Sequence, residues 1–120
     1  MKRTINTTKL TKAFIESRIS QEDIVAKYLD IPINVVDDCV RHNHLIKSVF
    51  RDDDTDSSMG IAYNMKGRLK VRDFNGCIFG DVYDVVAYVL SIVYERPIST
   101  DNKQDFYFIL KHIYNVFSDD

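Results

Sequence analysis

Three stretches of this chain carry side chains able to bind something. The first is "FRDDDTDSSMG", where Asp52, Asp53, Asp54 and Asp56 crowd five positions. A helix–loop–helix calcium site needs oxygen ligands at loop positions 1, 3 and 5, glycine at 6 and a bidentate glutamate at 12. Counting from Asp52, the first three are Asp52, Asp54 and Asp56, but position 6 is Ser57 and position 12 is Tyr63. The far flank also reads as strand. A polar turn held by Asx and Ser/Thr side-chain hydrogen bonds fits better. The second stretch, "CVRHNH", offers Cys39, His42 and His44, with Cys77 distant. Zinc favours such nitrogen and sulfur donors, yet its structural sites come from two compact ligand pairs and Cys77 stands alone among apolar neighbours. These residues read as a buried thiol beside surface histidines, and no metal or other cofactor is expected.

The third stretch, "KGRLKVRDF", places Lys66, Arg68, Lys70 and Arg72 at every second position. Side chains alternate across a strand, so an extended backbone projects these cations to one side, with Leu69 and Val71 facing the core. Lys66, at a turn, is least constrained by the alternation. The stripe runs about 20 Å at roughly 3.3 Å per residue, and Phe74 follows at the next same-face position, where a ring could stack on an unpaired base. A polyanion would convert the mutual repulsion of these charges into binding through counterion release. The competing reading is a solvent face whose charges discourage edge-to-edge aggregation.

The elements that must hold these residues follow from periodicity. Leu10, Phe14 and Ile15 mark a short helix from Thr8 to Arg18, and Ser20 caps a second carrying Ile24, Val25, Tyr28 and Leu29. Pro32 stops it, and Asn34 is the expected cap of a third turn with Val36, Cys39 and Val40. Met59, Ile61, Tyr63 and Met65 then alternate as a strand, "KG" at 66–67 suits a hairpin turn, and "FNGCIFG" suits another. Asp81 is a good N-cap for an almost wholly apolar helix ended by Pro97, and Asp101 is the expected opening of a last one. The fold class is α+β: a helical lead over 8–42, a small antiparallel sheet over 45–79, and core helices over 81–95 and 101–117.

With 120 residues the chain makes one domain with a modest core. Its formal net charge of −2 gives no global attraction to nucleic acid or acidic lipid, so any electrostatic binding must be local. Two cysteines, no secretory start and no apolar run of roughly 18 residues point to the cytoplasm with reduced thiols, away from membranes.

Residues 48–90, "SVFRDDDTDSSMGIAYNMKGRLKVRDFNGCIFGDVYDVVAYVL", resemble the zinc-binding (zinc-ribbon) domain at the N-terminus of bacterial and phage DNA primases. That family runs from C-P-F-H through an acidic turn into paired strands, then C-F-x-C-G-x-x-G-D opening a helix; "ISQEDIVAKYLDI" resembles its leading helix. The resemblance places the four zinc-ligand positions on Ser48, Arg51, Asp73 and Gly76, none of them cysteine or histidine, with Cys77 one residue beyond the last. It therefore implies a zinc-free, phage-type variant, located in the host cytoplasm if phage-encoded. What persists is Phe50, Asp53, Ser58, Phe74, Gly80, Asp81 and the apolar helix. Structural zinc contributes on the order of 10 kcal/mol to folding a small finger, so long apolar helices must compensate here, and an Arg51–Asp73 charge pair is expected at the vacated site. The aspartate run then corresponds to the family's post-ligand turn between strands.

Such a domain recognises single-stranded template and makes no primer itself. The resemblance implies a non-enzymatic module, or a fragment of a longer primase, binding single-stranded DNA with Arg51, Lys66, Arg68, Lys70 and Arg72 on phosphates and Phe74 and Tyr63 on bases. A helicase or primase catalytic subunit would be its protein partner. The alternative is an assembly module that kept the fold and lost DNA binding. Phe108 and Tyr114, off the apolar stripe of the last helix, would then serve a homo-oligomer or a larger complex.

Overall fold

The computed structural model describes residues 10–48, 58–73 and 78–118. Within them lie five helices and a three-stranded antiparallel sheet in the order β1-β2-β3. Helix α1 (Lys12–Arg18) starts where the Thr11 hydroxyl accepts the Phe14 N–H at 3.1 Å. In α2 (Gln21–Leu29) Ser20 does the same for the Asp23 N–H at 3.0 Å, as its sequence position demands. The third helix, α3 (Ile33–His42), begins earlier than expected. Pro32 occupies its N-cap with φ −62° and no side-chain hydrogen bond, and Asn34 lies inside the first turn. The proline ring sets the entry dihedral and its carbonyl takes the Val35 and Val36 N–H groups, so no side-chain cap is needed.

Strands β1 (Met59–Tyr63) and β2 (Leu69–Asp73) pair with Ile61 opposite Val71. β1 stops at Tyr63, and the alternation expected through Met65 ends in the turn, where Met65 is fully exposed. Asn64 organises that turn: its carboxamide oxygen accepts the Lys66 and Arg68 N–H groups, each at 2.9 Å. Gly67 supplies the positive φ of 80° that a side chain would strain. Gln21 at the head of α2 then fastens the hairpin, donating to the Gly67 carbonyl and accepting the Leu69 N–H.

A third strand, β3 (Phe79–Asp81), pairs with β2 so that Arg72 faces Phe79 and Lys70 faces Asp81. Its three residues are too few to show a two-residue period, so the sequence reads only as a turn running into a helix. On β1's other side, Ile46 forms a single bridge to Met59.

One sheet face, Met59, Ile61, Leu69 and Val71, is buried against the helices. Helix α4 (Val82–Tyr94) is the spine, with Tyr83, Val85 and Val86 fully buried, and α5 (Lys103–Ser118) adds Ile109 and Ile113. The Asn102 side chain, rather than Asp101, accepts the Asp105 N–H at 3.0 Å and starts α5. Among the described residues no helix is long and apolar enough to cross a membrane.

Candidate nucleic-acid interface

Because Met59, Ile61, Leu69 and Val71 face inward, their neighbours Gly60, Ala62, Lys70 and Arg72 face outward. Cross-strand pairing sets Ala62 beside Lys70 and Gly60 beside Arg72, with Phe79 on the far side of Arg72. Phe79 is 68% exposed, and both the Lys70 ammonium and the Arg72 guanidinium lie over its ring, at 6.0 and 5.4 Å from the centroid. Cations near a ring face are held by its quadrupole, and here the ring itself is open to a ligand. Phe79 is the aromatic that sequence reasoning passed over. Its signal was the glycine after it, which turns inward only if β3 is recognised as a strand. Phe74, the expected stacking residue, lies outside the described residues, as do Arg51, Gly76, Cys77 and the aspartates from Asp52 to Asp56.

The other expected contacts are placed differently. Arg68 precedes β2, and its guanidinium is turned towards α1, where it donates to both carboxylate oxygens of Glu16 at 2.7 and 2.9 Å. It also lies 5.8 Å from the centre of the Tyr83 ring. Glu16 accepts a third hydrogen bond, 2.6 Å, from the Tyr83 hydroxyl. The Arg68 bond holds the Glu16 carboxyl below the usual carboxylate range despite partial burial, and burial with the Glu16 bond pushes the Tyr83 phenol up. Arg68 is thus the cation of a structural ion pair. Lys66 sits in the hairpin turn, exposed and off the strand. Tyr63 ends β1, donating to Glu22 at 2.8 Å, and burial first, then that bond, pushes its hydroxyl up to about 12; still 42% exposed, it borders the same hollow as Lys70, Arg72 and Phe79. Of the expected stripe, Lys70 and Arg72 share the open face. The terminal helix packs on α1 and α4, away from it.

The resemblance's ligand positions give a second geometry. Ser48 and Asp73 are 6% and 3% exposed, and the Ser48 hydroxyl donates to the Asp73 carboxylate at 2.7 Å. They meet because Ile46 bridges Met59, which stands opposite Asp73, so two further residues bring Ser48 over the end of β2. The expected partner of Asp73, Arg51, lies outside the described residues. Removing the hydroxyl takes one donor from a buried carboxylate, so Ser48→Ala lowers stability by about 1–2 kcal/mol. Urea denaturation of the two chains measures it.

Asp38 gathers His44, through a short contact, and His42, at 4.0 Å, on the exposed end of α3. Cys39 is buried nearby with its thiol pushed up by burial. Among the described residues no group of three or more His, Cys, Asp or Glu side chains could hold a metal ion. Comparison with known protein families, with curated proteins and with solved structures finds no match to this chain.

Proposed function

We propose that the chain is a non-catalytic module that binds single-stranded DNA across the open face of its sheet, on the plan of a primase zinc-ribbon domain that holds its shape without zinc. The observation that carries this is the juxtaposition of Lys70, Arg72 and the exposed Phe79 on the outward face of the sheet. Lys70 and Arg72 are about 7 Å apart along β2 and act on phosphates; Phe79 supplies the π-face on which a base stacks. The zinc-free core is supported by the buried Ser48–Asp73 bond, which joins two of the four ligand positions, and by the apolar face of the sheet lying on α4. Net charge is negative overall, so the affinity is local and strongly salt-dependent.

Anisotropy titration of labelled single-stranded oligonucleotides against salt tests this. The double variant Lys70→Ala/Arg72→Ala weakens binding at low salt, and the slope of log K against log salt becomes shallower by about 1.4, or 0.7 per lost phosphate contact. Equal slopes for the two proteins would sink the assignment.

One surface favours the assembly reading instead. Ile92 and Val93, at the end of α4, are 61% and 63% exposed, side chains a partner would cover. Phe108 meets Tyr94 edge-on at 5.4 Å, and Tyr114 meets Phe14 at 5.8 Å while remaining 38% exposed. Failure to bind DNA at low salt, with a mass that rises with concentration in sedimentation, would select this reading.

A further inference from the structure

The open face of the sheet is concave where it meets the end of α3. A cavity of about 330 Å³ is formed there by Leu45, Gly60, Ala62, Lys70, Arg72 and Phe79. Its floor is Gly60 and Ala62, the two smallest side chains available, on adjacent outward positions of β1. A larger residue at Ala62 would reach into the space that it lines. Leu45, 44% exposed, and Phe79 supply apolar walls, while Lys70 and Arg72 stand on the neighbouring strand. A small-molecule site has this composition: mostly apolar, largely pre-formed, with few polar groups that fix orientation. Its volume is near the lower end of the usual 300–1,000 Å³ or so, room for one ligand unit rather than a stacked run.

Resting on the nucleic-acid reading above, we infer that this hollow is a one-nucleotide subsite: a single flipped-out base lies on the Gly60–Ala62 floor between Leu45 and Phe79, with its flanking phosphates on Lys70 and Arg72. The chemistry selects the ligand. A flat, neutral ring joined to an anion matches a smooth floor, apolar walls and a cationic margin, whereas a fatty chain would offer nothing to the Lys70 ammonium and a bare phosphate would leave the floor uncovered. Asn43 and His44 border the hollow at the α3 end. The carboxamide can offer a donor and an acceptor to a base edge, and His44, whose Nδ1 is held by Asp38, can offer Nε2, so the subsite discriminates among bases, and the rest of the strand is held without sequence preference.

The test is Ala62→Leu, which fills the floor from the solvent side and removes neither cation. Binding of wild type and variant is measured with a short oligonucleotide of one base, a matched series of the other bases, and the same strand carrying a central abasic run. Ala62→Leu weakens binding of the intact strand by about tenfold or more, the size of one lost stacking contact, and leaves the salt slope unchanged. On the abasic strand wild type and variant bind alike. Ala62→Ser, which keeps the floor low, binds as wild type, and Phe79→Ala repeats the loss from the opposite wall. Thermal melting of each variant separates lost binding from lost fold. Intact-strand affinity unchanged by both Ala62→Leu and Phe79→Ala, with the Lys70/Arg72 effect retained, overturns the subsite and leaves the DNA reading standing. Absence of binding by the wild type to every strand at low salt overturns both.

Discussion

Glu16→Ala lowers the stability of the chain by about 2–3 kcal/mol, because its carboxylate accepts three charge-assisted hydrogen bonds at once. Removing it leaves the Arg68 guanidinium and the Tyr83 hydroxyl without that acceptor, and Tyr83 is fully buried in the spine helix. Breaking a buried pair from one side costs more than the pair contributes in net terms; the side chains here retain 29% and 23% exposure, so the expected loss stays below the fully buried extreme. The pair also joins α1 to the start of β2, elements 52 residues apart, so its loss loosens the hairpin as well as the helix. Arg68→Ala behaves likewise in urea denaturation, yet leaves the salt slope of DNA binding where it was, while Lys70→Ala/Arg72→Ala does the reverse. A shallower slope for Arg68→Ala would return that residue to the phosphate-binding set.

The same carboxylate gives the chain an acid limb of defined sign. Its pKa in the fold lies below the ordinary 4.5, so the unfolded chain binds the proton more readily, and the stabilisation is complete above 4.5 and lost as pH falls through the lower folded value. His112 adds a second limb of the same sign at higher pH. Its ring lies against Tyr94 and Phe108 with Nδ1 2.6 Å from the Tyr28 hydroxyl, and burial holds its pKa below the ordinary 6.5. Both groups therefore withdraw stability on acidification, while Asp84, whose carboxyl burial pushes up, acts in the opposite sense; Glu16→Ala removes the lower contribution and leaves that of His112.

How much of this was legible depended on whether a signal was local. Ser20 and Asp81 were readable because a cap acts within three residues, and Leu69 and Val71 because alternation fixes their face. Arg68 obeyed the same period as Lys70 and Arg72, but it precedes the strand and meets a carboxylate on α1, a contact no spacing rule encodes. Phe79 was hidden for the opposite reason: three residues pair as a strand only because β2 is already there to receive them. Ser48 and Asp73 were named together only through the resemblance. Their meeting depends on a single bridge at Ile46, which leaves no periodic trace.

Gly80→Ala costs about 1–3 kcal/mol, and the reason lies in the helix cap that follows. A Cβ at residue 80 would stand 2.5 Å from the Cβ and from Oδ2 of Asp84 and 2.7 Å from its Cγ, well inside van der Waals contact. The Cβ of Asp84 belongs to the helix and cannot swing aside. Its carboxylate is fixed as well, accepting the Asp81 N–H at 3.0 Å and the Thr100 hydroxyl at 3.1 Å. The first is half of a capping box whose other half is the Asp81 side chain on the Tyr83 and Asp84 N–H groups. Relief of the clash thus requires either moving β3 off the helix, an overpacking cost of roughly 1–3 kcal/mol, or surrendering the cap, about 1 kcal/mol. Since β3 carries Phe79, the first route also displaces the proposed stacking ring. Gly80→Ala is accordingly expected to weaken DNA binding in proportion to its loss of stability, whereas Asp84→Gly in the same background, which removes the Cβ as well as the carboxylate, restores room for the new methyl and recovers part of both. Melting and anisotropy titration of the single and double variants measure that recovery; a double variant no better than Gly80→Ala would show that Asp84 is not what the glycine makes way for.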